Sequence, residues 1–160
     1  MLRYYIPLFF IVLFASSCEV FSPQEEIPAY IFIPAIAVNI IDPQVQGTAS
    51  QNIADAWVSV NDEPIGAFQL PAVVPIGIGG ESNFVEGDNE VSVRAGIKIN
   101  GISATRLEYP SLQAYKTTIN LKVGETDTLV PVVEYYPNEK FDWIEGFESP
   151  GLTLEESNDS

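Results

Sequence analysis

Between Asp55 and Pro110 the chain alternates apolar and polar residues in short runs separated by turn formers, which restricts this stretch to packed β-hairpins. Successive side chains of a strand point to opposite sides. Ile53 to Val60 therefore places Ala56, Val58 and Val60 on one face and Trp57 and Ser59 on the other. Asn61-Asp62-Glu63 supplies a turn, and Ile65 to Leu70 the returning strand. Further along, Val91 and Val93 alternate with Ser92 and Arg94. Ile97 and Ile99 then alternate with Lys98 and Asn100 beyond a bend expected at Gly96, and Asn100-Gly101 is a strong turn signal. Tyr115 to Val123 alternates cleanly, Gly124-Glu125 turns the chain, and Thr128 to Tyr135 closes the sheet. Pro131 lacks a ladder donor and consigns that last strand to an edge. Upstream, Tyr30–Ile33 and Ile36–Ile41 read as two pieces of one edge strand broken at Pro34. No segment has a helical period. The expectation is an all-β fold, a small β-sandwich spanning residues 29–136.

The chemistry that the sequence excludes is as informative. At 160 residues the chain holds one domain, not comfortably two. It has no histidine and one cysteine, so no Ser-His-Asp or Cys-His constellation, no His or multi-Cys zinc site and no intramolecular disulfide can form. A net charge of -15 argues against nucleic acid as a partner, since phosphates demand clustered Lys and Arg. Gly77-Ile78-Gly79-Gly80 lacks the Lys-Ser/Thr and following helix of a phosphate loop and reads as a flexible break. Glu86 to Glu90 lacks the full acid pattern of a calcium loop and reads as a hairpin turn. No cofactor and no metal are expected. A glycosidase, which needs only two facing carboxylates, stays open, but among 22 acids some pair will face another by chance.

The two ends have their own character. Arg3 followed by the apolar run Ile6–Ala15 is a targeting segment too short for a comfortable bilayer span. Phe14-Ala15-Ser16-Ser17-Cys18 resembles the bacterial lipobox, which implies cleavage before Cys18 and its lipidation; Ala15 departs from the more common Leu. Residues 1–17 are then a signal peptide, and residues 18–28, rich in charge, Ser and Pro, a lipidated cysteine and tether. From Glu134 to Ser160 eight acids stand against Lys140 alone, so residues 137–160 read as a disordered acidic tail.

The hairpin ending in Ile65-Gly66 resembles the small Ig-like hairpins of bacterial surface proteins. The series Gln46-Gly47, Ile53 to Val58, Ile65 to Phe68, Leu70 to Ala72, Gly96 to Arg106 and Tyr109-Pro110 resembles a family of uncharacterised lipoproteins of Bacteroidota, over roughly residues 28–148. That resemblance implies an Ig-like sandwich at the outer membrane, on the periplasmic face or the cell surface, and brings no catalytic or binding residues. It also implies that Trp143-Ile144-Glu145-Gly146-Phe147-Glu148 opens a second β-domain, so the tail reads as the remnant of a truncated one. Asp127-Thr128-Leu129 is similar to an O-glycosylation signal of the same phylum, which would place a glycan on Thr128. The functional expectation is a lipid-anchored, non-enzymatic binding or scaffolding module. Its partners would be the membrane through its lipid, and other envelope proteins or glycans. The alternatives are a structural subunit of an envelope assembly with no small ligand and, further off, a carboxylate-based glycosidase. Aromatic faces serve such contacts well, and Trp57, Tyr135, Tyr136 and Trp143 are the candidates.

Overall fold

A computed structural model describes residues 27–79, 82–102, 105–142 and 144. The signal peptide, Cys18, most of the tether, Trp143 and the tail beyond Ile144 lie outside the described residues. What is described is an all-β sandwich of ten strands: β1 (Ala29–Ile33), β2 (Ala37–Asn39), β3 (Asp55–Val60), β4 (Glu63–Gln69), β5 (Ala72–Ile76), β6 (Gly87–Lys98), β7 (Arg106–Glu108), β8 (Tyr115–Leu121), β9 (Thr126–Thr128) and β10 (Val132–Glu134). Among the described residues two short helical turns interrupt them, α1 (Pro43–Gln46) and a 3-10 turn at Ile99–Gly101. Asp42 caps α1 by accepting from the Gln44 amide at 2.9 Å, and Pro43 sits at its first position, where no donor is needed.

The larger sheet runs β4-β3-β6, and the free edge of β6 is shared: β8 pairs with residues 87–93 and β7 with residues 96–98. The opposing layer consists of the sheet β5-β1-β9 and the pair β2-β10. Between the layers lie Ile31, Ile33, Val74 and Ile76 from one side and Ala56, Val58, Val60, Val91, Val93 and Leu121 from the other, all essentially without solvent contact. Each such side chain contributes roughly 1.5–3 kcal/mol of burial, and the period-two spacing of the sequence puts them there.

The tight turn after β3 follows from its residues: Asn61 and Asp62 both take positive φ, 49° and 64°, a conformation in which these residue types are enriched. Pro34 and Pro131 break the first and last strands at matching points. The halves therefore pair as β1 with β9 and β2 with β10, each in parallel. Two expectations need correction. The first strand is no edge, because β1 is flanked on both sides, by β5 and β9. Residues 87–90 are not a turn but the start of the twelve-residue β6, which also runs through Gly96 as a strand. The physical reason for the former is Asn89. Its side chain is fully buried, where it donates to the Val85 and Gly87 carbonyls at 2.9 and 2.8 Å and accepts from Asn61 at 2.9 Å, so a residue type that favours turns is satisfied inside a strand.

Candidate binding groove

Along the inner face of β6, Val91, Val93 and Ala95 are buried, Ile97 is half-buried, and Ile99 just beyond the strand is exposed. The short strands of the opposing layer stop covering β6 before it ends, and the sandwich opens there. Ile97, with Ile53 ahead of β3, Tyr109 after β7, Leu112, Val38 of β2, Tyr135 after β10 and the loop Ser50–Asn52, lines a slot of about 180 Å³. Asn52, Ile53 and Ile97 also line a broader depression of about 760 Å³, completed by Ala54, Gln69, Leu70 and Lys98. The two adjoin through these three shared residues, and together they form the groove at this pole.

Its walls are held firmly. The Gln51 side chain donates to the Ile36 carbonyl at 2.9 Å and accepts from the Ile53 amide, which ties the loop to the core. Leu112 bridges to Tyr135, and Gln113 donates to the Tyr135 carbonyl at 2.9 Å. The Tyr135 ring meets Tyr109 edge-on at 6.4 Å and Phe141 at 5.2 Å. Burial pushes its phenol pKa above the usual value, and the neighbouring Tyr109 hydroxyl adds to the shift. Outside the lining itself, Arg106 donates to Gln69 of the broader depression at 3.2 Å and forms an ion pair with Asp55, whose side chain is completely buried. Among the described residues no Asp or Glu lines either part of the groove, in a chain carrying 22 acids. Lys98 is its one charged lining residue and has no acidic partner within ion-pair distance among the described residues.

The groove and the chain entry occupy opposite poles. The Gly124 amide donates to the Pro28 carbonyl at 3.0 Å and the Tyr30 amide to that of Glu125 at 2.9 Å, so β1 starts beside the turn before β9. It ends at Ile33 opposite Ala72, next to Leu70 of the groove. Across the sandwich, β6 starts opposite Leu121 at the entry pole and ends at Lys98. Twelve strand residues span roughly 36–40 Å.

Of the aromatic candidates, Tyr135 lines the groove and Trp57 does not. Trp57 is half-buried on the outer face of the large sheet, in a separate cleft of about 410 Å³ with Ser59, Asp62, Pro64, Gly66, Arg94 and Glu108. There Arg94 and Glu108 pair at 3.1 Å, and the Trp57 indole N–H is buried without a partner among the described residues. Tyr136 is exposed and outside the groove lining, its amide donating to the Ser111 carbonyl. Thr128 is exposed on β9 opposite Phe32. The acids of the segment 86–90 engage neighbours, Asp88 with Asn120 at 2.7 Å and Glu90 with Lys116 at 2.8 Å. Among the described residues no group of three or more metal-ligating side chains comes together. Sequence reasoning missed Ile53, Ile97, Lys98, Tyr109 and Leu112. The available signal was the alternation of β6 continuing to Ile99, past the reach of any strand that could face it.

Fold and site together define an all-β sandwich with a groove at one pole whose described lining residues include no acid. Comparison with protein-family models, curated proteins and solved structures finds no match for the chain.

Proposed function

We propose that this chain is a lipid-anchored binding module of the bacterial cell envelope, tethered to the outer membrane through Cys18, that engages its partner in the groove between Tyr135 and Lys98. The observation that carries this reading is the position of the groove at the pole remote from the point where the chain enters the sandwich. A module tethered through its N-terminus would hold such a groove away from the bilayer, free for a partner. The lipobox-like stretch Phe14–Cys18 supports the anchor. The absence of histidine and of nucleophile-base motifs supports binding over catalysis.

Two variants test it in cells. Cys18→Ser is expected to release the protein from the membrane fraction; retention there refutes the lipid anchor. Tyr135→Ala is expected to abolish partner recovery in pull-downs from cross-linked envelopes, whereas Thr118→Ala, on the exposed face of β8, leaves it intact. Undiminished recovery with Tyr135→Ala refutes the groove and favours a structural subunit held by another surface.

A further inference from the structure

Charge is divided unevenly between the two layers. Residues 27–41, 70–79 and 126–133, which build β1, β2, β5, β9 and most of β10, contain one charged side chain, Asp127. Asp127 alternates with the exposed Thr126 and Thr128 and pairs with buried Ile31, so it stands on the core side of β9. The outward side chains are Tyr30 and Phe32 on β1, Val73 and Pro75 on β5, and Thr126 and Thr128 on β9. Val130 and Val132 carry this uncharged surface on toward β10. They are 53 and 49 % exposed, and Val73 is 54 % exposed, which leaves three large apolar side chains in water. The outer face of the large sheet has the opposite character, with Asp88, Glu90, Arg94, Glu108 and Lys116 standing on it.

An uncharged sheet face bearing exposed apolar side chains marks a contact surface, and charge selects its occupant. A bilayer fits poorly. The face has no Lys or Arg to meet lipid headgroups, and an anionic leaflet repels a chain of net charge -15. A second copy of the chain fits. Two chains of the same high negative charge repel least where neither presents charge, and a two-fold contact here leaves the ion pairs of the large sheet in solvent. A two-fold axis along β1 also keeps both chain entries, at Pro28, on one side, as tethers to a shared bilayer require. That last step rests on the lipid anchor proposed above.

We propose that two copies of this chain pack their small layers face to face across a two-fold axis along β1. The register fixes the contacts. Val73, Phe32 and Thr128 lie at one height across the sheet, and Pro75, Tyr30 and Thr126 at another. The axis exchanges the flanks, so Phe32 and Tyr30 meet their own counterparts. Val73 then meets the second copy's Thr128, and Pro75 its Thr126, in aligned packing with the sheets about 10 Å apart. The face covers on the order of 300–400 Å² in projection per chain, below the ~800 Å² that each partner gives to a standard interface. The contact is therefore weak in dilute solution and is populated where tethers raise the effective concentration.

A benzophenone amino acid at Thr126, an exposed position of β9, reads the contact on the full chain in intact cells. The expected product has twice the chain's mass, with the cross-link mapping to the second copy's β5 near Pro75. Val73→Lys places an unpaired ammonium in the contact twice per dimer and is expected to lower the yield at least about tenfold. Val73 is exposed in the single chain, so this replacement leaves the fold intact. Adding Thr128→Glu supplies each ammonium with a carboxylate and is expected to restore the product; failure to do so overturns the two-fold register. Full yield with Val73→Lys alone overturns the contact, as does a glycan found on Thr128. An adduct to lipid or to a different protein overturns the second copy as occupant. No adduct at all overturns the dimer, and membrane retention measured in the same cells tells whether the anchor failed with it.

Discussion

A methyl group added at Gly96 probes how tightly the outer face of the large sheet is built. A Cβ there would lie 2.7 Å from both Cδ1 and Nε1 of Trp57 and 3.0 Å from Cβ of Asp55. Carbon atoms in contact prefer about 3.5–4.0 Å, so the indole must retreat by roughly 1 Å. The backbone of Gly96 does not take positive φ, and the cost is therefore steric. Trp57 has somewhere to go, because it borders a cleft of about 410 Å³. Asp55 does not: it is completely buried, and its Cβ is fixed to β3. Overpacking of this kind costs about 1–3 kcal/mol, against about 0.4–1 kcal/mol gained from a stiffer unfolded chain. Gly96→Ala is expected to lower stability by about 1–2 kcal/mol in equilibrium denaturant unfolding. In a Trp57→Ala background most of that loss should vanish, a coupling of at least about 1 kcal/mol. Additive effects of the two substitutions, within about 0.5 kcal/mol, would refute the claim that the indole occupies the space of the missing side chain.

Other consequences follow from buried polar groups. Asp55→Ala removes the buried carboxylate that pairs with Arg106; with a quarter of the Arg106 side chain still in water, the loss is about 2–3 kcal/mol, and an unchanged unfolding midpoint would contradict it. Asn89→Ala removes three hydrogen bonds from a fully buried site and should cost about 3 kcal/mol by the same assay; a loss below about 1 kcal/mol would mean that water replaces the side chain. Burial, aided by Tyr109, raises the Tyr135 pKa above its unfolded value of 10.0, so the folded state keeps this proton longer than the unfolded chain does. The resulting stability is complete below pH 10.0 and is lost as pH rises through the folded pKa. Tyr135→Phe should remove one upshifted tyrosine from the absorbance titration and delay alkaline unfolding; an unaltered titration would contradict it.

Strand alternation made most of the fold legible. Ala56, Val58 and Val60 turn inward as their spacing demands, and Tyr115, Thr117, Ile119 and Leu121 share one face. What alternation cannot encode is which strand lies beside which. The flanked position of β1 depends on β5 and β9 arriving from distant parts of the chain, and Asn89 is strand-compatible only because Asn61, Val85 and Gly87 meet it in space. The site was half legible for the same reason. Tyr135 stood out as an aromatic, whereas Ile53, Ile97 and Leu112 look like ordinary core residues until the opposing layer stops short of them. Trp57 drew notice as an outward aromatic, and its indole turned out to lie against Gly96, filling space on the sheet's outer face.

Photo-crosslinking in intact cells tests the binding groove most directly. With a benzophenone amino acid at Ile53, inside the groove, or at Thr118, on the exposed face of β8, a binding groove predicts a discrete adduct from position 53 alone, lost when Tyr135→Ala is introduced. Adducts of equal strength from position 118, or a position-53 adduct that survives Tyr135→Ala, would contradict it.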